Sequence, residues 1–385
     1  MVSNGAPITI TRAEIFVFRA PVEEPVRTSF GVMRNRPAVL IRLEDKDGAH
    51  GWGEAWCNFP ACGAEHRARL LETVLAPLIL GKTYARPGDA FRELTGQTAI
   101  LALQADEPGP LAQAIAAVDI AMWDLAARKA GQPLYRFLGG QEDVRAVPAY
   151  ASGINPTGVA QSIERSRAAG YVCFKIKIGF GQERDEDNIK TAFGMLRPGE
   201  GFGVDANQAW TLSEALNMAG RIADFPLMWL EEPLRCDAGL SQWDLLRQHC
   251  PIALAAGENM RSAQTFERAI ASRAFGVIQP DMCKWGGFTL CLPTAKSIMR
   301  AGVRYCPHYL GGGIGLVASA HLLAAAGGDG LLEVDSNPNP LRELLAGPYP
   351  AMRGGMFVMP QKPGLGVEPA LRDVADMRTL YAEVG

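Results

Sequence analysis

The sequence lacks three features that would each point to a class of protein. It has no block of lysines and arginines; 38 basic against 41 acidic residues leave a formal charge of -3 and a pI near 6.0, too weak a positive field to hold a phosphate backbone. It has no uninterrupted apolar run of about 18 residues, and its opening, MVSNGAPITITRAEIF, shows neither the basic start nor the apolar stretch of a secretory leader. Neither nucleic acid nor membrane is expected as a partner, and the cytoplasm is the expected location. Its eight cysteines contain no C-x-x-C pair. Cys57 and Cys62 are the closest, while Cys173, Cys250, Cys283 and Cys306 sit in apolar segments, so reduced thiols are expected in place of disulfides or a zinc site.

What is present is an ordinary globular composition, 48% hydrophobic and 21% charged over 385 residues, enough chain for one large barrel and a smaller domain. From about residue 143 onward, short apolar runs alternate with amphipathic segments: RAVPAYAS, YVCFKIKIG, GFGVDANQAW, PLMWLEEPL, PIALAAGEN, FGVIQPDMC, VRYCPHYLG and GLLEVD, separated by stretches such as TLSEALNMAGRIADF and SAQTFERAIASRA. Eight strands alternating with helices predict an α/β fold whose parallel sheet closes into a barrel. Residues 1–140 differ. ITITRAEIFVFRA and AVLIRLEDKDGAHGWGEA predict antiparallel strands, and LLETVLAPLIL and LAQAIAAVDIAMWDLAARKAG predict helices, an α+β domain. The barrel is expected over 141–345, with 346–385 packing back on the N-terminal domain.

The run YVCFKIKIG places Lys175 and Lys177 on one face of a strand, because side chains alternate with period two. Two ammoniums there require either a wet surface or a demanding site. The later strands favour the site: Lys177, Asp205, Glu231, Glu258, Asp281, His308 and Glu333 follow one another at separations of 28, 26, 27, 23, 27 and 25 residues, one strand-plus-helix unit each time. Any one of these is well explained as a helix cap or a solvated loop residue. Seven in phase are not, since the C-terminal ends of barrel strands converge on one mouth.

Asp205, Glu231 and Glu258 would crowd three carboxylates together and repel unless a cation neutralised them; oxygen-only ligation suits Mg²⁺, with Mn²⁺ a substitute. Lys175 and Lys177 would flank this cluster on one side. A lysine beside another cation has its charged form disfavoured, which suits Lys177 to a base's role, with Lys175 meeting a substrate anion. On the other flank, Asp281 would orient His308 and stabilise its charged form.

With KIK at 175–177, DANQ at 205–208, EEP at 231–233, GEN at 257–259, PD followed by K-x-G-G over 280–287, His308 and Glu333, nearly the whole chain resembles the enolase superfamily, in particular its mandelate racemase subgroup. The resemblance implies a modified TIM (β/α) barrel under an α+β capping domain built from the N-terminus and the C-terminal tail. It implies Mg²⁺ on Asp205, Glu231 and Glu258, Lys177 as base, Lys175 on the substrate carboxylate, Asp281 with His308 as the acid or base of the opposite face, and Glu333 donating a hydrogen bond to the intermediate. A family branch that lactonises muconate or epimerises dipeptides has lysine where this chain has Asp281, which argues against that branch; Lys284 falls elsewhere in the motif. Arg27, Trp56 and Asn58 of the capping segment, with Asn207, are the expected substrate contacts.

The implied reaction removes the proton α to a carboxylate and stabilises the enolate. Loss of a β-hydroxyl makes the protein an acid-sugar dehydratase, the favoured outcome, since Arg27, Thr28 and Asn58 offer polar contacts to a polyol. Reprotonation makes it a racemase, expulsion of a ring oxygen a sugar-lactone cycloisomerase, and a barrel that binds metal and ligand without turnover is the alternative of another class. The expected partners are a small-molecule carboxylate and further copies of the chain, as a homo-oligomer.

Overall fold

The computed structural model describes residues 6–385, the side chain of Glu24 excepted. The N-terminal strands β1 (Ile8–Thr28), β2 (Gly31–Asp45) and β3 (His50–Ala55) form an antiparallel sheet, and β4 (Thr83–Tyr84) pairs with the start of β1. In β1 one buried apolar face carries Ile8 and Ile10, then Ala13, Ile15 and Val17, while Phe16, Phe18 and Ala20 are buried on the other face. The register with β2 shifts between Ile10 and Arg12, and this bulge moves the inward phase from even to odd positions.

The apolar helix Pro108–Lys129 packs on this sheet with 89% of its most apolar window buried, so its composition serves the interior. Contact is at backbone distance. A Cβ on Gly53 would stand 1.9 Å from the carbonyl oxygen of Ala117, and one on Gly51 2.2 Å from that of Ala121. The glycines of HGWGEA are therefore what lets helix and strand touch.

The barrel follows as β5 (Ala146–Ile154), β6 (Cys173–Lys177), β7 (Gly201–Asp205), β8 (Leu230–Glu231), β9 (Leu254–Ala256), β10 (Val277–Ile278), β11 (Arg304–Tyr305) and β12 (Leu332–Asp335). Each pairs in parallel with the next from β5 to β11, and β12 returns to pair with β5. Helices separate the strands, from Val159–Ala168 to Gly313–Ala326. Tyr150, Trp229, Ala255, Val277 and Cys306 fill the interior as a separate small core. Its two large rings meet edge to face at 5.2 Å, and Gly203 leaves room for Trp229, whose ring a Cβ there would meet at 2.9 Å.

After the barrel, β13 (Met352–Arg353) and β14 (Met356–Val358) form a hairpin whose second strand adds antiparallel to β5, and β15 (Arg378–Val384) pairs with β1 in the N-terminal sheet. The capping sheet is thus built from both ends of the chain. All eight cysteines are free thiols; Cys62 and Cys236 are exposed, so these two are not core residues.

Several polar bridges tie the cap to the barrel, among them those made by Glu54 and Arg36. Glu54 of β3 accepts the N–H groups of Gly312 and Gly315 at 2.6 and 2.8 Å, supplying the carboxylate that the start of helix Gly313–Ala326 lacks locally. Arg36 of β2 pairs with Asp335 at the end of β12, both buried.

Candidate active site

Strands β6, β7 and β8 run in matched register, with Lys177 opposite Asp205 and Asp205 opposite Glu231. One row of neighbouring side chains at the strand ends therefore carries an ammonium and two carboxylates. Lys177 Nζ donates to Asp205 Oδ2 and to Asn207 Oδ1, each at 2.6 Å. Lys175 Nζ donates to Glu231 Oε1 at 2.5 Å and lies 2.6 Å from Glu333 Oε1. Asp205 Oδ2 is also 3.7 Å from Lys175 Nζ, so one carboxylate oxygen stands between the two ammoniums.

The two like charges on this face of the strand are thus separated by carboxylate oxygen. Burial works against the charge of Lys175, yet Glu231 and Glu333 raise it well above the ordinary lysine range. The strand carries two lysines because each has its own carboxylate partners.

Around the rim, β11 is separated from β6 by β12 and β5 one way and by four strands the other. His308 follows β11 there, with Nδ1 2.7 Å from Asp281 Oδ2 and Nε2 2.9 Å from Glu258 Oε2. Burial opposes its charge, but Glu258 and Glu333 lift it to about 10, so the ring is an imidazolium with both N–H groups donated to carboxylates. Glu333 accepts from Ser152 Oγ, from the Tyr309 N–H at 3.0 Å and from Lys175. Despite its burial, Lys175 and His308 hold it down to about 2. It is an ionised acceptor in this arrangement, where the resemblance implied a hydrogen-bond donor.

The donor set fits a divalent cation. Among the described residues, Asp205, Glu231, Glu232, Glu258, Asp281 and Glu333 face Lys175, Lys177, Lys284 and His308 as positive partners, so negative groups are in excess. Burial pushes Glu231 up to about 7, with Asp205 and Glu333 adding repulsion against the pull of Lys175. Burial, with Glu258 and Asp205 adding to it, pushes Glu232 well above the carboxylate range, and its Oε2 is buried without a hydrogen-bond partner. Among the described residues no three His, Cys, Asp or Glu side chains gather on one point as a finished cage. The protein's own cations hold these carboxylates instead: Lys177 on Asp205, Lys175 on Glu231, and Lys284 with His308 on Glu258.

The backbone is strained at the same place. Asn207, Gln208 and Glu232 adopt positive φ of 44°, 65° and 40° in the loops after β7 and β8, a cost that concentrates at functional sites.

The expected substrate contacts divide. The Trp56 ring lies 4.6 Å from Lys284 Nζ and so reaches the cluster. Asn207 is committed to Lys177 and to Asp205, to which it donates from Nδ2 at 3.1 Å. Asn58 is buried and gives its Nδ2–H to the Leu310 carbonyl at 2.7 Å, holding the loop after β11. Arg27 is exposed, and its backbone N–H reaches Asn155 Oδ1 at 3.2 Å. The structure adds residues to the cluster: Glu232, Lys284, Asn259, and Trp229 and Gln279, which donate to Glu231 Oε2 at 2.9 and 2.7 Å. The doubled acid of EEP was a signal for Glu232; nothing in the strand-end spacing marks the others.

A parallel barrel with an ammonium, a carboxylate row and an Asp–His pair gathered at one rim defines an acid–base barrel enzyme under a capping domain. Residues 12–139 match the mandelate racemase / muconate lactonizing enzyme N-terminal domain and residues 158–374 the enolase C-terminal domain-like family. The chain belongs to this family, within the mandelate racemase subgroup of the enolase superfamily, and is an enzyme of the lyase or isomerase class. It is similar to a mandelate racemase/muconate lactonizing enzyme from Bordetella bronchiseptica RB50, whose crystal structure superposes with a TM-score of 0.90 at 51% identity, covering 97% of this chain and 100% of that one. It is 30% identical to the D-galactarolactone cycloisomerase of Agrobacterium fabrum over 94% of this chain and 96% of the relative. The L-talarate dehydratase of Polaromonas sp. JS666, solved with Mg and L-glucarate, is 25% identical with a TM-score of 0.83 over 99% of this chain and 100% of its own.

Proposed function

We propose that the chain is a Mg²⁺-dependent acid-sugar dehydratase, which removes the proton α to the carboxylate of an aldarate or aldonate and expels the β-hydroxyl as water. The observation that carries this is the division of the rim: Lys177 and Lys175 on β6, the His308–Asp281 pair on a distant arc, and the carboxylates of β7 to β9 between them. Asp205, Glu231 and Glu258 would hold Mg²⁺, with Mn²⁺ as a substitute, and the cation supplies positive charge against which the substrate carboxylate gains electron density.

Lys175 donates to the substrate carboxylate from Nζ. Lys177, after giving up one ammonium proton to solvent, takes the α-proton on Nζ. His308 gives the proton on Nε2 to the departing β-oxygen, while Asp281 keeps Nδ1 in place and sustains the imidazolium. The cap closes over the mouth through Trp56. The similarity to a lactone cycloisomerase favours one second reading, in which the oxygen expelled is that of a lactone ring and the same two proton transfers open it.

The test is exchange of the α-proton in deuterated water with Mg²⁺ and a panel of mono- and diacid sugars and their lactones, followed by detection of 2-keto acids. Exchange is expected in the wild type and lost in Lys177→Ala; His308→Asn should stop elimination of the β-oxygen. Formation of a 2-keto acid from a diacid or monoacid sugar supports dehydration, and turnover of lactones alone supports the second reading. Binding of Mg²⁺ without exchange on any of them refutes both.

A further inference from the structure

We infer that Lys284 is a positioning residue that holds Glu258 for the metal and joins it to the capping segment through Trp56; this rests on the Mg²⁺-dependent reading above. Lys284 lies three residues beyond Asp281, outside the strand-end series, yet its ammonium is buried in the cluster. Asp281 Oδ1 accepts the N–H groups of Cys283 at 2.8 Å and Lys284 at 3.1 Å, so the carboxylate that orients His308 also fixes the backbone from which Lys284 extends. Nζ then meets three things: Glu258 Oε1 at 2.9 Å, Asn259 Oδ1 at 3.3 Å and the face of Trp56 at 4.6 Å. Trp56 is tied to the same turn by its backbone N–H, which donates to the Cys283 carbonyl at 3.2 Å.

The two oxygens of Glu258 have different holders. Oε1 takes Lys284 and the Asn259 amide at 3.1 Å, whereas Oε2 takes His308 Nε2 at 2.9 Å. His308 has to leave Oε2 before it can deliver that proton to a substrate. Once it does, Glu258 would be free to rotate away if His308 were its sole partner. Lys284, together with the Asn259 amide, keeps the carboxylate in its rotamer by Oε1 and leaves Oε2 to face a cation. Because the ammonium also rests against Trp56, any shift of Glu258 on metal binding is felt by the cap, and the cap's closure in turn steadies Glu258.

A residue that contributed only positive charge would repel Mg²⁺, and its removal would tighten binding. A positioning residue predicts the opposite sign. Calorimetric titration with Mg²⁺ alone should show affinity falling by roughly 10- to 100-fold in Lys284→Met and recovering in part in Lys284→Arg. Trp56 emission, taken as the difference between the wild type and Trp56→Phe, should change on Mg²⁺ addition and be silent in Lys284→Met even at saturating metal. Trp56→Ala leaves every metal ligand in place and should also weaken Mg²⁺ binding, which keeps the test available if a Lys284 variant folds poorly. If the wild type binds Mg²⁺ while Lys284→Met and Trp56→Ala bind it equally or more tightly, the inference is overturned and the metal-dependent reading survives. If the wild type itself takes up no Mg²⁺, the reading falls and the inference with it.

Discussion

His321 makes stability depend on pH in a window far from any proposed proton transfer. It lies in the helix Gly313–Ala326, fully buried, and both ring nitrogens are in use: Nδ1 accepts the Tyr135 N–H at 3.0 Å, and Nε2 lies 3.1 Å from the Leu365 carbonyl, to which it donates. A second proton on Nδ1 would break the first bond and place a charge among apolar groups. Burial accordingly lowers the ring from 6.5 to about 4. In the unfolded chain the ring protonates near the ordinary histidine value, about 6.5. Between those two values the unfolded state binds a proton that the folded state refuses, so the contribution is complete above pH 6.5 and is lost as pH falls toward 4. The window of about 2.5 pH units corresponds to about 3 kcal/mol at about 1.4 kcal/mol each. Urea unfolding followed by tryptophan fluorescence, at about pH 7.5, 6 and 4.5, measures it against His321→Asn, which keeps an acceptor near Nδ1 and cannot titrate. The variant should be less stable at the highest pH by about 1–3 kcal/mol, and the gap should close as the pH falls. A gap of constant size across the series would refute the reasoning.

Gly53→Ala should lower the thermal midpoint, because the new methyl group meets the Ala117 carbonyl at 1.9 Å and the Ala121 nitrogen at 3.0 Å, both backbone; a loss of at least about 1–3 kcal/mol is expected, and an unchanged midpoint would mean that the helix moves freely on β3. Glu54→Ala strands the N–H groups of Gly312 and Gly315, at about 1–3 kcal/mol for each donor left dry, with faster proteolysis at the cap–barrel junction as a second readout; equal stability and cleavage would dismiss the bridge. Asp205→Asn removes a proposed metal ligand and the charged partner of Lys177. Calorimetry should detect no Mg²⁺ binding, and α-proton exchange should fall by about 10²–10⁴-fold or more; wild-type affinity would exclude Asp205 from the metal site.

The barrel was legible because its units from β6 onward repeat one pattern: an apolar run, an ionisable residue, then a helical period. Lys177, Asp205 and Glu231 could be assigned to one site from spacing alone, since parallel register turns equal sequence intervals into spatial neighbours. Lys284 escaped that logic. It sits in a turn, and its significance depends on Trp56, more than two hundred residues earlier and in the other domain. The carboxylate partners of Lys175 were hidden for a related reason: the sequence displays its lysine neighbour, but Glu231 and Glu333 reach it only through the closed ring. Helix Pro87–Gln104 was obscured because Ile100 and Leu103 lie on its outer face and Gly96 interrupts it, which blurs the inward stripe. The partnership of β15 with β1 joins segments some 370 residues apart; no local period reports it, and the return of the tail to the N-terminal domain was implied by the family resemblance.

That last pairing sets an order of events during synthesis. Among the described residues the outer edge of β1 from Ala13 to Phe18 finds its ladder partner in residues 378–384, where Tyr381 adds a ring 5.2 Å from Phe16 to its contacts with Phe18 and Trp52. A ribosome must therefore complete all eight barrel strands before that edge is covered. Until the final strand arrives, that edge presents open amide and carbonyl groups alongside Phe16 and Phe18, an adhesive margin for neighbouring chains.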